Sequence, residues 1–252
     1  MTQDRSVFSF LPGDQSLHRM GAVLTRYKEI TPTVKLAGPT SFAPAIYQAM
    51  RIVAAQGNQY HILLIVADGQ VTRPVDMKKG QLSIQEKDTM DAITHASNLP
   101  LSIIMVGVGD GPWEVMQDFD DALPARRFDN FQFVNFTEIL KRRWSDYSQM
   151  EAQFALRALM EVPEQYKYIQ KLGLMGNSGD VNVRRLISQI RRPLDPPAPP
   201  KLTAAQMSGR FDPASIPSFP PQPASGAYPS VGSPSQAPPG AWILQILLLV
   251  LR

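Results

Sequence analysis

Apolar positions along the chain fall into short continuous runs separated by stretches with helical spacing. His61 to Ala67 (HILLIVA) and Leu101 to Gly107 (LSIIMVG) are nearly unbroken apolar segments bounded by turn residues, the pattern of parallel strands covered on both faces. Phe131-Gln132-Phe133-Val134 makes a third such segment and Val7-Phe8-Ser9-Phe10 a fourth. Between them, Ile46, Ala49, Met50 and Val53 recur at helical intervals after Thr40-Ser41, as do Met90, Ile93 and Ala96 later. Leu17, Met20, Leu24 and Tyr27 predict one more helix. Two capping-box patterns, Ser83-Ile84-Gln85-Glu86 and Asn135-Phe136-Thr137-Glu138, mark helix starts. Farther on, Phe154, Leu156, Leu159 and Met160, then Gln165 to Leu172 ending at Gly173, predict helices packed against the sheet. Strand–helix alternation of this kind implies an α/β fold, a doubly wound and mostly parallel sheet with helices on both faces.

The pattern stops near Arg192. Pro193 to Gly240 holds most of the 23 prolines and no periodic apolar stripe, so an extended, disordered linker is expected there. Within it, Pro196-Pro197-Ala198-Pro199-Pro200 offers a docking motif to a reader of Pro-rich segments. Trp242 to Leu251 (WILQILLLVL) is strongly apolar, but as a helix it would reach only about 15 Å, half of a bilayer core. The organisation is thus a folded region over 1–176, a basic connecting segment over 177–192, the Pro-rich linker over 193–240 and an apolar tail over 241–252.

Composition narrows the chemistry. At 252 residues and 28.0 kDa the chain has room for about one domain plus a tail. Lys and Arg number 25 against 22 Asp and Glu, a net charge of +3 too small and scattered to imply nucleic acid. Lys141-Arg142-Arg143, Arg184-Arg185 and Arg191-Arg192 lack interleaved aromatics and read as solvated faces. No cysteine occurs, which excludes disulfides, thiolate zinc sites and cysteine nucleophiles from these residues. The polar N-terminus carries no secretory signal, so a cytoplasmic or nuclear location is expected, with no spanning segment and no membrane partner.

In an open parallel sheet, ligands bind beyond the carboxyl ends of the strands. Asp68-Gly69-Gln70 follows the His61–Ala67 run, and Gly38-Pro39-Thr40-Ser41-Phe42 precedes a helix, so a carboxylate and two hydroxyls come to that end. Such oxygens suit Mg²⁺ or Mn²⁺; equally, Asp-Gly makes turns and Thr or Ser caps helices. Gly107-Val108-Gly109-Asp110-Gly111 falls short of a dinucleotide fingerprint because Pro112 stands where glycine is required. His18, His61 and His95 have no ligand spacing, and no G-x-S-x-G elbow exists.

The stretches RYKEITPTVKLAGPTSFAPAI, YHILLIVADGQVTR, LPLSIIMVGVGDGPW and FDNFQFVNFTEIL resemble the copine-type von Willebrand factor A domain, specifically the version in plant-type RING ubiquitin ligases, over roughly residues 4–176. The resemblance implies a metal-ion-dependent adhesion site in which Thr40 and Asp68 are metal ligands. It also implies a partner-binding surface at Thr40, Ser41, Asp68 and Gly69, and protein partners that include ubiquitination substrates. That family's D-x-[ST]-x-S metal loop has no counterpart ahead of Thr40, so Mg²⁺ or Mn²⁺ is expected to bind only weakly, and without cysteine no zinc-binding RING can form. The first two strands of the family's sheet are expected to be missing, the chain being truncated at both ends, which leaves the edge of His61–Ala67 open. The function implied is a non-catalytic interaction module of a ubiquitin-ligase relative. The alternative is a copine-like, calcium- and phospholipid-linked membrane-associated protein.

Overall fold

The computed structural model describes residues 4–17, 20–34, 38–78, 81–122, 125–176, 180–197 and 246–251. The Pro-rich linker beyond Pro197, with most of its docking motif, lies outside the described residues, as does the tail before Ile246.

The three apolar runs become strands β1 (His61–Ala67), β2 (Leu101–Gly107) and β3 (Phe131–Asn135), all parallel, with β2 in the middle of the three. Helices intervene in chain order: α1 (Met20–Ile30) and α2 (Ala43–Ala55) before β1, α3 (Ile84–Ala96) before β2, and α4 (Glu114–Ala122) before β3. After β3 come α5 (Phe136–Lys141), α6 (Tyr147–Leu159), α7 (Val162–Lys171) and α8 (Val181–Gln189). Both capping boxes start helices as expected. Ser83 and Glu86 exchange side-chain and backbone bonds at the head of α3, and Asn135 accepts from the Glu138 amide at 3.1 Å.

Strand alternation sends side chains to two cores. Leu63, Ile65, Ile103, Met105, Phe131 and Phe133 face one side, where α2, α3 and α4 supply Ile46, Met50, Ile93, Met116 and Phe119. On the other side, Ile62, Ile104, Val106 and Val134 meet Ile139 of α5 and Met150 and Ala158 of α6. The α/β sheet with helices on both faces is therefore realised.

Four expectations change. Val7–Phe10 forms no strand; only Phe8 bridges Leu194, with Ser9 N–H donating to the Leu194 carbonyl at 2.9 Å. The pairing stops at this one bridge, with Leu194 N–H donating to the Val7 carbonyl at 2.9 Å on its other side. The stretch read as a basic connector contains α8, whose Val183 is buried in the first core with Leu186 and Ile187 packed beside it. Those apolar residues lie at helical spacing between the arginines. The edge of β1 is not open: β4 (Ile246–Leu251) runs parallel along it, from Ile62↔Ile246 to Ala67↔Leu251, giving the order β3-β2-β1-β4. An exposed apolar edge is a template for any apolar strand within reach, and the tail supplies one. Finally, on α6 only Met150, Phe154 and Ala158 turn inward, while Leu156, Leu159 and Met160 point to solvent.

Candidate functional site

The carboxyl ends of β1 and β2, with the segment leading into α2, build one surface. Backbone exchange joins the first two loops: Thr40 N–H donates to the Thr72 hydroxyl at 2.6 Å, and Thr72 N–H donates to the Thr40 carbonyl at 3.0 Å. Thr40 and the loop carrying Asp68 are thus held together, through a residue that the sequence did not flag. Thr72 reads as an ordinary loop threonine; only the pairing of two distant loops reveals it.

Helix α3 fastens both loops from below. Ser83 Oγ donates to the Thr72 carbonyl at 2.9 Å, and Glu86, wholly buried, accepts the Ser83 amide at 2.6 Å while Arg73 stands 3.5 Å away. One turn on, the buried Thr89 hydroxyl accepts the Phe42 amide at 3.3 Å and lies 3.4 Å from the Ser41 hydroxyl. Ser41 also accepts the Ala43 amide at 3.3 Å. Ser41, expected on the partner-facing surface, is therefore buried and spent on holding the loop. Asp68 is exposed and Gly69 half-buried, with open space over its α-carbon. Among the described residues Thr40 commits its backbone only, which leaves its hydroxyl available.

The loop after β2 completes the surface. Val108 N–H donates to the Ala67 carbonyl at 2.8 Å, and Gly109, with φ of 105°, lies so close to Asp68 that a Cβ there would sit 3.3 Å from the Asp68 carbonyl oxygen. Glycine at 109 thus serves close approach to Asp68. Gly109 N–H continues the link outward to Thr137 Oγ1 at 2.7 Å. Beside it opens a polar cleft of about 320 Å³ whose walls include Asp110, Trp113, Glu138 and Lys141, with Lys141 Nζ 3.9 Å from Asp110.

This surface offers hydroxyl and carboxylate oxygens on a braced frame. It suits hydrogen bonding to a partner's polar groups. Among the described residues no three carboxylate or imidazole groups gather to hold a metal. Thr40 and Asp68 carry three side-chain oxygens between them, against the six that Mg²⁺ takes, several of which are commonly water.

Comparison with known proteins agrees with this architecture. The sequence profile of the Copine family matches residues 1–178. The chain is 52% identical over 228 residues to E3 ubiquitin-protein ligase RGLG1 of Arabidopsis thaliana, covering 90% of this chain and 43% of that protein. It is 58% identical over 175 residues to RGLG5 of the same plant, covering 69% and 40%. Copine family protein 1 of Caenorhabditis elegans is 45% identical over 177 residues, 70% of this chain and 15% of that protein. The chain thus spans less than half the length of these relatives.

Proposed function

The chain belongs to the copine family, and from that premise we propose that it is a protein-interaction module of a ubiquitin-ligase relative, non-catalytic in itself, acting in the cytoplasm or nucleus. It engages a protein partner, ubiquitination substrates included, through the exposed surface around Thr40 and Asp68. The observation that carries this reading is the convergence of three loops on one strand-end surface whose buried polar bonds all serve to hold it in place. A preorganised surface loses little entropy on binding. Ubiquitin transfer by a RING requires zinc ligands, and none of these 252 residues is cysteine. Mg²⁺ or Mn²⁺ at Thr40 and Asp68 keeps most of its water and serves at most as a weak bridge to a partner's carboxylate.

The test has two arms. Incubated with activating and conjugating enzymes, ubiquitin and ATP, the chain forms no conjugates while full-length RGLG1 does. A partner captured by the chain is lost with Asp68→Ala and Thr40→Ala. Conjugates from this chain alone, or capture indifferent to both substitutions, would overturn the reading.

A further inference from the structure

A second surface lies on the opposite face of the sheet, built by α6 and the segment entering it. The inner stripe of α6 is Met150, Phe154 and Ala158, anchored by an edge-to-face contact of Phe154 with Phe136 at 5.1 Å. Its outer stripe, Ala152, Leu156, Leu159 and Met160, repeats at helical spacing and is solvent-facing, with Leu156 57%, Leu159 49% and Met160 60% exposed. A helix apolar on two sides has one side too many for a chain that packs it against a single sheet.

Beside the start of this outer stripe runs an open groove of about 520 Å³. Arg142, Arg143 and Trp144 form one wall, and Gln149, Ala152 and Leu156 the other. The Trp144 indole is fixed, because its Nε1–H donates to the Ile139 carbonyl at 2.7 Å and its ring packs on the second core. Both arginines are exposed, and among the described residues neither meets a carboxylate within ion-pair distance. The nearest acids in sequence, Glu138 and Asp146, form no ion pair with them: Glu138 lines the separate cleft beside Asp110, and Asp146 caps α6 by accepting the Gln149 amide at 2.8 Å.

We propose that this groove is a docking site for an acidic, apolar peptide segment of a partner protein. Leucine- or aromatic-type side chains would lie against Trp144, Ala152 and Leu156, and carboxylates would meet Arg142 and Arg143. The charge selects the occupant. Two uncompensated guanidiniums on one wall favour bidentate pairing with carboxylates, while the rigid indole and aliphatic wall accept an apolar side chain at little entropic cost. The concavity favours a peptide over a lipid surface, since a planar bilayer reaches the convex outer stripe but leaves the groove unfilled. This groove shares no lining residue with Thr40 or Asp68, and α5 stands between the two, its Thr137 accepting the Gly109 amide and its Ile139 carbonyl accepting the Trp144 indole N–H.

The experiment selects a random peptide library displayed on phage against the full-length chain, with the double variant Arg142→Glu/Arg143→Glu as counter-target. A synthetic copy of the most enriched peptide is then titrated by fluorescence anisotropy. Enriched sequences should combine Asp or Glu with large apolar residues. Affinity should fall at least about tenfold with the double variant and with Leu156→Glu, each checked for native circular dichroism, while Asp68→Ala leaves it unchanged. A peptide with Lys in place of its acids should recover binding to the double variant. Enrichment of neutral or basic sequences, failure to enrich any, or equal capture by the double variant overturns the proposal. So does sedimentation with phosphatidylserine vesicles that depends on the same arginines while peptides do not bind.

Discussion

Thr89 offers the sharpest test of how the strand-end surface is held. Its hydroxyl is the acceptor for the Phe42 amide, and Phe42 is itself fully buried. Replacing Thr89 with Val keeps the shape and puts a methyl where the oxygen was. A buried amide left without a partner costs about 1–3 kcal/mol. The bond is 3.3 Å long, near the outer limit of useful geometry, so the lower end of that range applies. The added methyl returns roughly 0.8 kcal/mol by burial. The net loss is therefore small, about 1 kcal/mol or less, equivalent to roughly 2–4 °C in Tm for a domain of this size.

The larger effect is local. Without the Thr89 acceptor, the segment before α2 loses its tie to α3, and Thr40 is held by Thr72 alone. Hydrogen exchange reads this directly: the Phe42 amide should exchange at least several-fold faster in Thr89→Val. Thr89→Ser keeps the oxygen but drops a methyl. It should lose comparable global stability, about 0.5–1.5 kcal/mol, with Phe42 still protected. Denaturant melts together with residue-resolved exchange separate the two. Unchanged protection of Phe42 in Thr89→Val would refute the claim that α3 braces this surface.

Other consequences can be checked with less apparatus. Stopping the chain at Gly240 removes β4 and uncovers the β1 edge, so the shortened protein should melt lower and elute as aggregates in size-exclusion chromatography; an unchanged monomer would show that β1 needs no neighbour there. Gly107→Ala places a methyl 2.9 Å from the Trp113 ring, itself packed on Phe133, and should cost about 1–3 kcal/mol in urea unfolding, whereas Gly69→Ala, facing open space, should be near neutral. Burial, reinforced by Asp91 and Asp88, pushes the Tyr47 hydroxyl up to about 12 from 10.0. Between those values the unfolded chain gives up this proton while the folded one keeps it, so stability falls as pH rises from 10 to 12, and Tyr47→Phe should make that fall shallower. Calorimetry should find Mg²⁺ binding weak and further reduced in Asp68→Ala, tight binding being the contrary result.

What could be seen in the sequence follows from how local each cause is. The three strands were legible because a parallel strand buried on both faces is apolar at nearly every position, with His61, Ser102 and Gln132 the buried polar exceptions. The α3 start was legible because Ser83 and Glu86 lie three residues apart and cap each other. Thr40 and Asp68 were placed through a resemblance, and the structure joins their loops. The braces between those loops were not legible. Thr72 and Thr89 act across 32 and 47 residues of sequence, on Thr40 and Phe42, and nothing in their own surroundings distinguishes them from solvent-facing threonines. The helix periodicity of α6 was correctly expected, but the facing of Leu156, Leu159 and Met160 was not. Periodicity gives the angle between residues, while the choice of inner stripe depends on where the second core ends.

That choice bears on how the fold divides its work. The first core is closed by four helices, and the loops above it are tied to α3 by hydrogen bonds with buried Ser83 and Thr89. The second core is shallower. Its partly buried members, among them Leu64, Val66, Phe154 and Trp144, lie where the cover thins, and α6 carries apolar side chains past its limit. A partner on the strand ends meets a stiff frame and can be selected by polar geometry. One on α6 gains mainly by burying apolar area that the chain itself leaves uncovered, with Arg142 and Arg143 setting the sign of charge it must bring. The two faces therefore differ in what they can recognise, and α5 borders both: Thr137 accepts the Gly109 amide at 2.7 Å and the Ile139 carbonyl accepts the Trp144 indole N–H at 2.7 Å, so substitutions that stay clear of α5 should leave binding at the other face intact.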